Sequence, residues 1–140
     1  MALLFPSEEW IGAYKDAINA SEAYAKAAQN WHAGAVALVL SKQPDIGLDE
    51  DWCIWLGIDG GKCHEIRKVS FEEAGKAPFL IIASYERWKQ VIHKVLDPVK
   101  GMMQGKLKLK GHLPTIVRFV KASQELVNCA TQVDTRFLDE

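Results

Sequence analysis

Trp52-Cys53-Ile54-Trp55-Leu56-Gly57-Ile58-Asp59-Gly60-Gly61-Lys62-Cys63-His64-Glu65-Ile66-Arg67-Lys68-Val69 reads as a β-hairpin. Its first arm, Trp52–Ile58, is apolar on one face through Trp52, Ile54, Leu56 and Ile58. The other face stays largely apolar through Cys53 and Trp55, as in a strand covered on both sides. Asp59-Gly60-Gly61 supplies the turn, with glycines free to take the positive φ that a tight hairpin requires. The second arm, Cys63–Val69, is more polar, which suits a position near a sheet edge. Upstream, Ala35–Leu40 is an unbroken apolar run and predicts a strand. The segment between, Lys42–Asp51, holds Pro44, Gly47 and four acids and reads as a solvated loop. Three successive strands on short connections predict an antiparallel meander.

Working outward, Ser7 followed by Glu8 and Glu9 is a helix start, with the hydroxyl as cap and the acids placed on the positive end of the dipole. Trp10, Ala13, Tyr14, Ala17, Ile18, Ser21, Ala25 and Ala28 then recur at helical spacing and predict one helix over 8–31. Downstream, Phe79–Ala83 is a fourth apolar strand. Ser84 caps a helix over 85–96 with the stripe Trp88, Val91, Ile92, Val95 and Leu96. Pro98 ends or kinks it. Gly105–Gly111 alternates, with Lys106, Lys108 and Lys110 outward against Leu107 and Leu109 inward, and predicts a half-buried strand over 106–110. Pro114 opens a last helix over 114–128, whose stripe is Ile116, Val117, Val120 and Val127. The expected fold class is α+β: a five-stranded, mainly antiparallel sheet from 35–41, 52–58, 63–69, 79–83 and 106–110, covered by helices. The strand at 106–110 follows a helix, which allows it to pair parallel with its neighbour. The expected domain spans 1–130, with a polar tail, 131–140, that frays.

Composition bounds the function classes. The 140 residues are 49% hydrophobic and 25% charged, enough to bury one core and too few for two ordinary domains. Net charge is −1, which excludes a generally basic nucleic-acid binder. Residues 1–70 carry ten Asp and Glu against six Lys and Arg, and residues 71–140 carry eight against eleven. Nine of those basic residues lie between Tyr85 and Lys121. Lys100, Lys106, Lys108 and Lys110 among them predict a transient contact with anionic membranes. No aromatic side chain is interleaved with the lysines of that strand, so no nucleic acid is expected. Three cysteines without framework spacing, and no signal-peptide pattern, predict a reducing, cytoplasmic setting.

Catalytic groups are sparse. Cys63 and His64 are adjacent in a strand, so their side chains point to opposite faces and cannot readily pair. Cys53 lies across the hairpin. No Cys-x-x-Cys or His-x-x-x-His spacing is present for a metal, and the acidic cluster Asp45, Asp49, Glu50, Asp51 lacks the arrangement of a calcium loop. Gly57, Gly60 and Gly61 sit inside a hairpin rather than before a helix, so they form no phosphate loop. The expectation is a protein without catalytic residues, metal or cofactor. Five tryptophans and three methionines, with Met102-Met103 between Gly101 and Gly105, leave soft apolar surface in excess.

Ala83-Ser84, the amphipathic helix bearing Trp88, the segment Gly105-Lys106-Leu107-Lys108-Leu109-Lys110-Gly111 and the apolar final helix together resemble the sterol carrier protein lipid-transfer domain family. The order of the long first helix, the meander and the Asp59-Gly60 turn extends the resemblance over nearly the whole chain. It implies a five-stranded sheet covered by helices, enclosing an apolar tunnel for sterols, fatty acyl chains, isoprenoids or similar lipids. On that expectation the lining is Trp88, Ile92 and Leu96 on one wall, Leu107 and Leu109 on the sheet, Met102 and Met103 near the opening, and Ile116 and Val120 opposite. Two departures stand out. His112-Leu113-Pro114 follows the second glycine where the family has Asn or Asp and often Met. The chain ends Leu138-Asp139-Glu140 rather than on a peroxisomal address. The expected function is non-catalytic lipid binding or transfer. The alternatives are a protein-interaction or homodimerisation module, or an accessory subunit of an acyl- or steroid-processing enzyme.

Overall fold

The computed structural model describes residues 1–140. Strand β1 (Leu3–Phe5) leads into α1 (Glu8–Ala20), where the Ser7 hydroxyl accepts from the Trp10 amide at 3.1 Å. The predicted helix over 8–31 is two helices. Ser21 donates its amide to Ile18 and turns its hydroxyl to the Tyr24 amide at 3.0 Å, which ends α1 and caps α2 (Glu22–Ala27). A serine able to bond the backbone ahead of it competes with helix continuation, and here it wins. Beyond α2 the chain cannot stay helical, because the Trp31 carbonyl is taken by the Gly60 amide of the hairpin at 2.8 Å.

Next come β2 (Val36–Leu40), β3 (Trp52–Asp59) and β4 (Lys62–Val69), the expected meander. The loop between β2 and β3 holds a short 3-10 turn at Pro44–Ile46. Gly61 in the hairpin turn has φ +85°, and a Cβ there would stand 2.5 Å from the Ala25 carbonyl oxygen. Only glycine lets the hairpin tip press onto α2. A single turn, α3 (Phe71–Ala74), precedes β5 (Phe79–Ala83). Ser84 caps α4 (Tyr85–Ile92), which is shorter than the 85–96 expected. Lys94 takes a left-handed φ of 62°, and both Val95 and Leu96 donate to the Gln90 carbonyl. Val95 therefore leaves the stripe and is 77% exposed.

Asp97 caps α5 (Pro98–Met103), with Pro98 at a position where its missing N–H costs nothing. Strand β6 is Lys108–Lys110 only, because Lys106 and Leu107 both donate to the Gly101 carbonyl and belong to the end of α5. Gly101 packs against Leu107; an added Cβ would meet the Leu107 Cγ at 3.1 Å. The last helix also divides, into α6 (Leu113–Arg118) and α7 (Val120–Thr131), with a break at Phe119. The tail does not fray: β7 (Thr135–Phe137) pairs parallel with β1. Tyr85 locks that ribbon. Its hydroxyl donates to the Phe5 carbonyl at 2.7 Å and accepts from the Leu138 amide at 3.0 Å, while Lys89 binds Asp139 and Glu140 at 2.9 and 2.8 Å.

The five-stranded sheet has the order β4-β3-β2-β5-β6. Its one parallel pair is β2 with β5, not the last strand with its neighbour; β6 runs antiparallel to β5. Having two parallel strands at the centre requires a crossover, and β3, β4 and α3 supply it. Val36, Leu38, Leu40, Ile54, Leu56, Ile58 and Ile81 face the layer of α1, α2 and α4–α7. The opposite face is covered only by α3, over a small cluster of Ala37, Val39, Cys53, Val69, Ala74 and Leu80. No helix is long and apolar enough to cross a membrane.

Candidate functional site

The sheet and helical layer do not close fully upon each other. Between them lies a chamber of about 130 Å³ lined by 25 residues, 23 of them hydrophobic. The strands β2, β3 and β5 form its floor through Leu38, Ile54 and Ile81. α1 contributes Trp10 and Tyr14 from two consecutive turns of one stripe, α4 contributes Trp88 and Ile92, and α7 contributes Ala122 and Leu126. The polar ends of three lining aromatics are taken up by protein acceptors. Trp88 Nε1 donates to the Val39 carbonyl at 2.8 Å, Trp10 Nε1 to Thr135 Oγ1 at 2.8 Å, and the Tyr14 hydroxyl to the Leu126 carbonyl at 2.9 Å. These three rings thus add apolar surface without presenting a donor to an occupant.

Leu38 marks the void at the middle of the sheet. It lies on β2, the middle strand of five, between the buried Ile54 and Ile81, yet it is only half-buried. With strands on either side and helices above, the accessible surface it keeps is surface of the void itself. Half-buried Ile92, Pro98, Met102, Phe119 and Val127 mark the side where α4, α5, α6 and α7 converge.

Of the nine residues expected to line a tunnel, Trp88, Ile92, Met102 and Ile116 stand around the chamber. Leu96 and Leu107 are buried beneath α5, and Leu109 is half-buried on the edge strand. Met103 is 63% exposed on the outer side of α5, and Val120, the first residue of α7, is 38% exposed, its side chain turned away by the break at Phe119. The chamber also extends under the first half of the chain, through Phe5, Trp10, Tyr14, Tyr24 and Trp31, which were not expected in it. The helical stripe of Trp10 and Tyr14 was legible, but a stripe facing a void has the same spacing as one facing a filled core.

The three cysteines are free and buried. Cys53 lies on the α3 side of the sheet, away from the chamber, and desolvation pushes its thiol up to about 11, with Asp51 adding to the rise. Cys63 is likewise pushed up to about 11 by burial, against the opposing pull of Lys15, and its Sγ donates to the Glu65 carbonyl at 3.3 Å. His64 is exposed. Nowhere do three His, Cys, Asp or Glu side chains gather as metal ligands would.

A five-stranded sheet roofed by helices over an apolar chamber defines a carrier of small apolar molecules. The model of the SCP-2 sterol transfer family matches residues 14–123, and the chain belongs to that family of lipid-binding domains. Sterol carrier protein 2, in a crystal structure, is 34% identical and superposes with a TM-score of 0.83, over 91% of this chain and 97% of its own. A conserved hypothetical protein from Thermus thermophilus, described as a possible sterol carrier protein, is also 34% identical. Its TM-score is 0.83, over 93% of this chain and 90% of its own. The palmitated domain from Aedes aegypti is 14% identical with a TM-score of 0.51, over 81% of this chain and 93% of its own, a likeness of fold. No curated protein is significantly similar in sequence.

Proposed function

We propose that the protein binds one long apolar molecule of the sterol, fatty acyl or isoprenoid class in this chamber and carries it without transforming it. The observation that carries this reading is an almost wholly hydrophobic lining around a void that extends to the middle of the sheet, at Leu38. The palmitated state of the Aedes aegypti relative supports an acyl chain as one occupant. At about 0.8 kcal/mol per buried methylene, a chain of roughly sixteen carbons gains about 13 kcal/mol before association costs. Subtracting roughly 5 kcal/mol for those costs leaves about 8 kcal/mol, a micromolar Kd. An apolar wall discriminates weakly between chains that differ by one methylene, so specificity for chain length is broad.

Exchange at an anionic bilayer is part of the proposal. Lys100 and Lys106 are exposed on either side of the solvent-facing Met103 in the chain, which gives positive charge beside an apolar side chain to insert, while Lys108 and Lys110 pair with Ile82 and Leu80 on the sheet face turned toward α3. Organic extraction of the purified protein with mass spectrometry, alongside titration with a fluorescent fatty acid, tests the reading. A co-purifying lipid and saturable micromolar probe binding are expected. An empty extract together with no probe binding overturns it in favour of an interaction module.

A further inference from the structure

Beside the chamber is a second recess of different chemistry. It measures about 300 Å³ and lies between the α4–α5 connection and α7, lined by Lys94, Asp97, Lys121, Gln124, Glu125 and Asn128 among others. Pro98 and Val127 belong to the walls of both spaces. The two spaces therefore adjoin, with Pro98 and Val127 standing between them.

The recess is organised around one nearly buried carboxylate. The Glu125 side chain is 11% exposed, far below its partner Lys121 at 71%. Asn128 Nδ2 donates to Glu125 Oε1 at 3.1 Å, and Lys121 Nζ stands 3.4 Å from Oε2. Lys94 Nζ donates to Asn128 Oδ1 at 2.7 Å, so a single network runs Lys94, Asn128, Glu125, Lys121. The hydrogen bond from Asn128 and the pull of Lys121 and Lys94 hold the carboxyl below its ordinary range, against burial. The recess therefore has two ammonium groups, two carboxylates, counting Asp97, and two amides. Its charges balance.

We infer that this recess takes the polar end of the ligand whose apolar body fills the chamber, and that the group it selects is an uncharged hydroxyl. The inference rests on the chamber being the lipid site. A hydroxyl can donate to the Glu125 carboxylate and accept from Lys121 or Gln124 at once. A carboxylate or phosphate has no proton to donate and would face Glu125 and Asp97. An amine would face Lys94 and Lys121. An alkyl end would leave the recess polar groups to water without gain.

The test is displacement of N-phenyl-1-naphthylamine from the delipidated protein by three ligands of one chain length: 1-dodecanol, 1-methoxydodecane and dodecanoate. A hydrogen bond to a charged acceptor is worth roughly tenfold or more, so dodecanol should displace the probe at roughly one tenth the concentration its methyl ether needs. Dodecanoate should be weaker than dodecanol. Glu125→Gln, which keeps the side-chain shape and the acceptor for Asn128, should bring alcohol and ether within about threefold of each other, a ratio read within the one variant. Equal displacement by alcohol and ether in the unmodified protein overturns the hydroxyl site while the bound probe leaves the chamber standing. Dodecanoate as the best competitor overturns it in favour of an anion site. No probe binding at all removes the chamber and the recess together.

Discussion

Ala122→Leu separates a void from a filled core by the sign of its effect. Ala122 is a buried residue of α7 that lines the chamber, and alanine and leucine differ little in helix propensity. The substitution adds three carbons, about 2.4 kcal/mol at roughly 0.8 kcal/mol per buried carbon. Immobilising the new side chain costs about 0.7 kcal/mol. A space of about 130 Å³ accepts those carbons without displacing a neighbour, so the delipidated protein should gain roughly 1.5 kcal/mol. For a chain of this length that is about 5 °C in Tm. Were the site closely packed, the same change would cost roughly 1–3 kcal/mol through overpacking. Urea unfolding of delipidated protein gives the sign, and fluorescent fatty acid titration gives the second half of the prediction, at least tenfold weaker binding. Destabilisation by 1 kcal/mol or more, or a gain in stability with unchanged probe affinity, would refute the reasoning.

Tyr85→Phe removes the hydroxyl that joins the Phe5 carbonyl to the Leu138 amide. Leaving two backbone groups without their partner should cost about 2 kcal/mol, read as a fall in the urea midpoint, with faster amide exchange at β1 and β7 before the rest of the chain. Glu125 titrates lower in the folded protein than its ordinary value of 4.5. Its contribution to stability is thus complete above that ordinary value and is lost as pH falls through the lower folded one. Urea midpoints measured from pH 6 to pH 3 should fall less steeply in Glu125→Gln than in the unmodified protein. Cys53 and Cys63, with thiols raised to about 11 by burial, should be about 0.1% thiolate at pH 8. Iodoacetamide should label neither appreciably in the folded protein and both rapidly in urea; fast labelling of either without denaturant would refute the raised thiol.

What the sequence showed and what it concealed have separate physical origins. The hairpin around Asp59-Gly60-Gly61, the caps at Ser7 and Ser84, and the edge character of Cys63–Val69 are local signals, set by side chains within a few residues of where they act. Ser21 misled because the same serine sits comfortably on a helix face or at a cap. The choice was made by Gly60 and Cys63, far along the chain. Gly60 takes the Trp31 carbonyl, and Asn19 grips the backbone of Cys63 through two hydrogen bonds of 2.9 and 2.8 Å. β1 and β7 are three residues each and exist only because they find one another, so neither carries a periodic pattern of its own. The parallel pairing of β2 with β5 is a property of chain routing, and composition holds no trace of it. The chamber is the hardest case, since Trp10, Tyr14 and Trp88 would read identically in a solid core.

The size of the chamber determines where it must yield. A void of about 130 Å³ is comparable with an engineered cavity of roughly 150 Å³ that holds a single benzene. A chain of roughly sixteen carbons is far larger, so the walls must separate to admit it. The floor is the poorer candidate: β2, β3 and β5 are bonded along their whole lengths, with every residue of β2 in register with both neighbours. The roof is built from short pieces. α5 is six residues, α6 is six, and α6 meets α7 at a break without a side-chain cap. Short helices held by few bonds occupy the low end of local stability and move first. Their boundaries at Pro98, Met102 and Phe119 are also the half-buried part of the lining. Opening there would lengthen the chamber toward Val127 and the recess around Glu125, so that the movement admitting the tail also brings the polar end toward that balanced polar network.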